Sequence, residues 1–357
     1  MPIVRSPSDS TTEWEIARVM DTELTQEKAL GTIEARAPRR PQDALLCNME
    51  LPLRGMFYPL GYPVEIVTND AAVLEGANYS FGHIRSSRSS AILQVRIGVS
   101  HEGGPDCPPE PTRRAYNHLF SLVADVNNQA LLDLSTYTNF TWLTRAAAHN
   151  RTYLRYNFLE KVVYLLLGAS VVTDLHAACV SKKGKGILLC GDSGAGKSTL
   201  AYACARAGWT YTSDDTSYLI NDSAPPRVIG HSHRARFRPS AKSLFPELEH
   251  RSLTPRLEGK PSLEVPISDL PVSSTATEAT VDSIVYLHRF PSAETNLVRL
   301  PKGTATQRAC RELYSAGDVR AKHESILEVL SDIPTYELQY CDLTQGEQAL
   351  SLLVRSE

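Results

Sequence analysis

The chain has 357 residues, of which 42% are apolar and 22% charged, and its formal net charge is −3. That is the length of two domains with a sizeable core, and the near-neutral balance gives no global field for nucleic acid or an anionic membrane. Its seven cysteines are odd in number and hold no CxxC pair, which argues against a disulfide framework and a structural zinc site.

Residues 1–42 are polar and end in ARAPRRPQD. They read as a flexible arm carrying a short helix over 13–20. The first residues hold no apolar signal core. The most apolar run, 162–173, is too short to span a bilayer. A cytoplasmic location with no membrane partner is the expectation.

Residues 43–155 read as a smaller N-terminal α/β domain, assigned to substrate recognition. Strands are predicted over 64–67 and 91–99, with a helix opening at 71–75 between them. HEGGPDCPPEP, 101–111, is a turn-rich loop. Further strands are predicted over 137–144 and 152–156.

Residues 156–357 read as the second domain. A buried helix is predicted over 158–167, a strand over 175–180, a Lys/Gly turn over 181–186 and a strand over 187–190. Next come a helix over 198–207, whose face carries Leu200, Ala203, Cys204 and Ala207, and a strand over 209–213. Later strands are predicted over 281–288 and 336–340, and helices over 306–314, 323–330 and 346–353.

Between the ILLC strand and the 198–207 helix lies GDSGAGKST: Gly191, Asp192, Ser193, Gly194, Ala195, Gly196, Lys197, Ser198 and Thr199. This is GxxxxGK[ST]. Glycines let the backbone wrap until successive N–H groups face phosphate oxygens. The helix that follows aims its positive end at the same anion. Lys197 supplies a cation for the outer phosphates, and Ser198 a hydroxyl for Mg²⁺. The pattern predicts ATP as ligand, with Mg²⁺.

Asp214 and Asp215 lie one helix and one strand further on. In a parallel α/β sheet the end of that strand stands beside the phosphate loop. One carboxylate would hold Mg²⁺ and the other accept a proton from an attacking hydroxyl. Neighbouring residues on an extended chain point opposite ways, so both reach the site only if the strand has ended. His176 lies on the hairpin strand whose partner strand feeds the loop, and reads either as a buried structural residue or as a ring placed near Asp214. Arg234, Arg236 and Arg238 alternate through HRARFRP and would share one strand face, as phosphate ligands or as a solvated surface. His231 and His233 have metal-like spacing without acidic neighbours. Lys260 and Glu264 are loop charges within sequence reach of the site.

The run HAACVSKKGKGILLCGDSGAGKSTLAYACARAGWTYTSDD, 176–215, resembles the catalytic core of the HPr kinase/phosphorylase family. The resemblance implies an α/β P-loop kinase core of the HPr kinase and phosphoenolpyruvate carboxykinase type. It implies Asp214 as general base, Asp215 in support of the metal, His176 as the base's pH-sensitive partner, and a homo-oligomer. Downstream the chain reads IGHSHRARFRPSAK and lacks the segment by which that family recognises HPr. It is therefore similar to the wider set of HPr kinase-related proteins, some of which act on peptides or small molecules. The activity expected is transfer of the γ-phosphate of ATP to a hydroxyl of a protein, peptide or small molecule. The alternatives are a non-catalytic nucleotide sensor and a small-molecule kinase of the shikimate-kinase type. No NKxD motif supports a GTPase-like switch.

Overall fold

The computed structural model describes residues 49–355, except 86–87, 255–260, 291–293, 314 and 316. The predicted arm, its helix over 13–20 and Lys260 lie outside the described residues. The fold is mixed α/β with several sheets. It divides into two units. One comprises the described residues up to Pro111 with Val123–Ala130 and Asn139–Val163, the other Thr112–Leu122, Leu131–Thr138 and everything from Tyr164 onward. Among the described residues no helix is long and apolar enough to cross a membrane.

In the first unit β1 (Leu53–Phe57) pairs antiparallel with β2 (Val64–Thr68). Helix α1 (Ala71–Phe81) then carries the chain to β3 (Leu93–Ser100), which lies parallel to β2. Asp70 caps α1 by accepting from the Ala72 amide at 2.9 Å. Val73, Leu74, Ala77 and Phe81 form its buried face, so the helix outruns the predicted 71–75. Gly76 does not end it: a Cβ there would stand 3.0 Å from Leu154 Cδ2, so the glycine serves close packing. Next along the chain come β4 (Thr112–Tyr116), which belongs to the other unit, and β5 (Leu119–Asp125) and β6 (Asn128–Asp133), which the division cuts; β7 (Thr138–Thr144) then lies parallel to β3.

The strand predicted over 152–156 is helical instead. After α2 (Arg145–His149), the side chain of Asn150 accepts from the Tyr153 amide at 3.0 Å and starts α3 (Arg151–Leu154). A π-helical turn, Arg155–Leu159, runs on into α4 (Glu160–Ser170). Arg155 is buried there and donates to Ser80 Oγ and Glu160 Oε1, each at 2.7 Å. The β-branched and aromatic texture of TYLRY read as strand, but the cap and the buried charge pair decide the conformation.

The second unit holds β8 (Val172–Leu175), β9 (Ala178–Lys182), β10 (Lys185–Cys190), α5 (Lys197–Arg206), β11 (Thr210–Ser213), β12 (Ser217–Ile220) and β13 (Arg227–Gly230). There follow β14 (Arg234–Phe237), β15 (Leu263–Pro266), β16 (Ser274–Thr275), β17 (Glu278–Thr280), β18 (Ser283–Arg289) and β19 (Asn296–Arg299). The chain closes with α6 (Thr304–Glu312), α7 (Gly317–Leu327), β20 (Thr335–Tyr340) and α8 (Leu343–Leu353).

The main sheet has the order β16-β11-β9-β10-β18-β20-β19. Strands β10, β18 and β20 are parallel, and β9 returns antiparallel to β10. The turn between β9 and β10 is two residues, Lys183 and Gly184, both with positive φ; such a turn matches the strand twist. The hairpin expected between the 175–180 and 187–190 strands is present, but β11 is not the direct neighbour of β10, because β9 stands between them. On one face α5 buries Leu200, Tyr202 and Cys204 among Trp209, Tyr211, Phe237, Phe245 and Leu350. Ala207 is exposed, because α5 has ended before it. Strands β17-β13-β12-β8 form a second sheet. The single strand expected over 175–180 is thus two, one in each sheet, and His176 occupies the break between them.

Candidate active site

The phosphate-type loop turns on glycines at φ 139° (Gly191), 98° (Gly194) and 99° (Gly196). At Gly191 a Cβ would press on Ala195 and on the Leu287 carbonyl, each at 3.0 Å. At Gly196 it would stand 2.5 Å from the Tyr340 hydroxyl, which donates to Ala195 O at 3.1 Å. A Cβ on Gly194 would meet nothing within 4 Å, so this side of the loop faces open space. Asp192, Ser193 and Gly194 are exposed, while Lys197 is buried. Helix α5 begins at Lys197, so its first amides open toward the loop.

Lys197 folds back over the loop. Its Nζ donates to Gly191 O at 2.7 Å and Asp192 O at 3.3 Å, and lies 3.0 Å from His176 Nε2. Burial lowers its pKa, and the Asp215 carboxylate is the largest opposing influence. The hairpin register explains the histidine's position. Ala178 stands opposite Leu189, so the same ladder line extended by two residues leads from His176 to Gly191. An ammonium has only protons to give. Toward an ammonium the ring can only accept at Nε2, which leaves Nδ1 on its other side. That nitrogen faces Asp215 Oδ1 at 3.6 Å.

The aspartates follow the end of β11. Ser198 Oγ donates to Asp214 O at 3.1 Å, joining the start of α5 to this turn. The two side chains then diverge. Asp214 is 7% exposed, and its Oδ2 accepts the Arg236 amide of β14 at 2.6 Å. Burial, then the neighbouring Asp215, raises its pKa from 3.8 to about 6. Asp215 turns outward to His176. The histidine ring thus meets Asp215, not Asp214 as its sequence position had indicated. The turn is braced by Ser213 Oγ and Ser217 Oγ, 2.6 Å apart, with Ser217 Oγ donating to Ala177 O at 2.9 Å.

No protein-family model and no curated protein matches the chain. Among solved structures, the Hpr(Ser) kinase/phosphatase from Coxiella burnetii is similar over 51% of this chain and 88% of that one, with a TM-score of 0.32 and 13% identity. A superposition that loose carries neither fold nor activity across.

The three alternating arginines divide between two partners. Arg234 donates to Glu264 Oε1 at 2.7 Å, and Arg236 Nε lies 3.9 Å from Glu264 Oε2. Arg238 Nη2 donates to Ser193 Oγ at 3.1 Å, inside the phosphate-type loop. Glu264, a loop charge by sequence, is on β15 as the ion partner of Arg234. The rings of His231 and His233 are 6.0 Å apart, and His231 packs against Tyr164 and Tyr218. Among the described residues no group of three or more His, Cys, Asp or Glu side chains is placed to hold a metal. Sequence reasoning missed two contributors: Tyr340, which braces the loop from β20, and the β14 main chain, which grips Asp214. An amide has no sequence signature, and the tyrosine stood unremarked in a predicted strand.

Proposed function

We propose that this chain binds a nucleoside triphosphate at 191–199 and transfers its γ-phosphate to a hydroxyl. The observation that carries this reading is the bond from Ser198 Oγ to the carbonyl of Asp214, 16 residues later. It brings the phosphate-type loop and the carboxylate pair to one place. Loop amides, the start of α5 and Lys197 neutralise and position the phosphates. The hydroxyl oxygen bonds to the γ-phosphorus as the bond to the bridging oxygen breaks, and the nucleoside diphosphate leaves. The hydroxyl proton passes to Asp214, whose raised pKa of about 6 suits a base working near neutrality. Asp214 acts ionised, so the rate rises with pH through that value.

The residues fit a magnesium ion. Ser198 gives its hydrogen to Asp214 O and keeps oxygen lone pairs for a cation, and the carboxylate of Asp215 is exposed. Ser198 and Asp215 would hold Mg²⁺, which when bound supplies charge neutralisation for the phosphate oxygens. His176 bridges Lys197 and Asp215 and so sets both charges in position. The acceptor class is a protein, a peptide or a small molecule bearing a hydroxyl.

The test is incubation of purified protein with γ-labelled ATP, Mg²⁺ and a lysate of its own cells, split into macromolecular and metabolite fractions. Label in either fraction, lost with Asp214→Ala, supports the reading and identifies the acceptor class. Tight nucleotide binding with no label in either fraction would replace it with a nucleotide sensor.

A further inference from the structure

Strand β14 touches both halves of the site. Its Arg236 amide holds the Asp214 carboxylate, and its Ala235 and Phe237 side chains are fixed in the core. Arg238 follows Phe237 directly, about 7 Å along the chain from Arg236 and on the same side. Its exposed guanidinium reaches Ser193 Oγ at 3.1 Å. Ser193 adjoins Asp192, whose carbonyl is one of the acceptors of the Lys197 ammonium. In such loops that ammonium serves the β- and γ-phosphates. The guanidinium therefore stands at the outer end of the loop, next to the open side at Gly194, and the β14 amide that holds Asp214 lies two residues back along the chain. A serine hydroxyl is one neutral acceptor. A terminal phosphate offers paired anionic oxygens that match the guanidinium fork and bind it far more strongly.

We propose that Arg238 reads the γ-phosphate and makes the site prefer a nucleoside triphosphate to its diphosphate. This rests on the nucleotide-binding reading above. The Ser193 contact is the resting position of the side chain, from which the guanidinium moves onto the terminal phosphate. Arg234 and Arg236 do not share this task, because Glu264 holds them on β14.

The experiment is calorimetric titration of the full chain with ATP and with ADP, both with Mg²⁺. It uses the wild type, Arg238→Ala, Arg238→Lys and Lys242→Ala, the last as a nearby charge control. Arg238→Ala is expected to weaken ATP about tenfold or more while ADP stays within about twofold. Arg238→Lys should recover part of the loss, and Lys242→Ala should match wild type. Arg238 is exposed, and thermal melting of each variant checks that the fold is retained. An unchanged ratio of ATP to ADP affinity in Arg238→Ala overturns the proposal and leaves the nucleotide site standing. So does equal weakening of both nucleotides by Arg238→Ala and Lys242→Ala. A wild type that binds neither nucleotide removes the nucleotide-binding reading, and this proposal with it.

Discussion

Replacing Asp214 with asparagine should stabilise the protein at pH 8 and do nothing for it at pH 4. The carboxylate is buried, and burial is the first cause of its rise from 3.8 to about 6. A carboxyl whose folded value is raised favours the native state below the unfolded value, and that contribution is lost as pH rises through the folded value. Here the loss spans roughly pH 4 to 6. Above it the ionised native state carries a penalty of about 3 kcal/mol. Asparagine keeps an oxygen to accept the Arg236 amide but brings no charge. With its own amide to desolvate, a net gain of about 2 kcal/mol at pH 8 is expected, or about 4–8 °C in Tm. Thermal denaturation of both proteins at pH 4, 6 and 8, without nucleotide, measures it. The gain should vanish at pH 4, where the wild-type carboxyl is already neutral. A variant less stable than wild type at pH 8 would refute the reasoning. It would mean that the carboxylate is held by compensating positive charge and is no desolvated acid waiting for a proton.

Gly196→Ala should damage nucleotide binding more than folding, since the new Cβ stands 2.5 Å from the Tyr340 hydroxyl at a φ of 99°. A loss of at least about 1 kcal/mol in affinity is expected, and Tyr340→Phe in the same chain should relieve part of it in the same titration. Asn150→Ala removes the cap of α3 and should cost about 1 kcal/mol in urea denaturation, whereas a strand at this point would leave the midpoint unchanged.

The loop was legible because its requirements are local. Gly191, Gly194 and Gly196 have the positive φ angles that glycine allows at no steric cost, and the strand before and the helix after announce themselves by period. The ends of β10 and α5 fall within a few residues of expectation for the same reason. What the sequence did not disclose is long-range pairing. Placing β9 between β10 and β11 depends on which strand meets which edge, and no periodicity in 176–215 encodes it. The partner of His176 depends in turn on that placement, so the ring went to Asp215. Arg155 misled in the opposite way: its neighbours have strand propensity, but its contacts to Ser80 and Glu160 are made 75 residues back and five ahead. Of the three arginines on and just after β14, alternation gave the shared face and could not separate their partners.

The two-residue turn at Lys183 and Gly184 has a practical use. It closes the far end of the hairpin whose near end pairs Ala178 with Leu189, two residues short of His176 and Gly191. Both turn residues are exposed, and a Cβ on Gly184 would meet nothing within 4 Å. Six residues of extended strand separate this tip from the loop, about 20 Å. A fluorophore or affinity handle attached there would sit in solvent at a fixed distance from the phosphate-type loop, and would report on ligand binding at the loop without touching it.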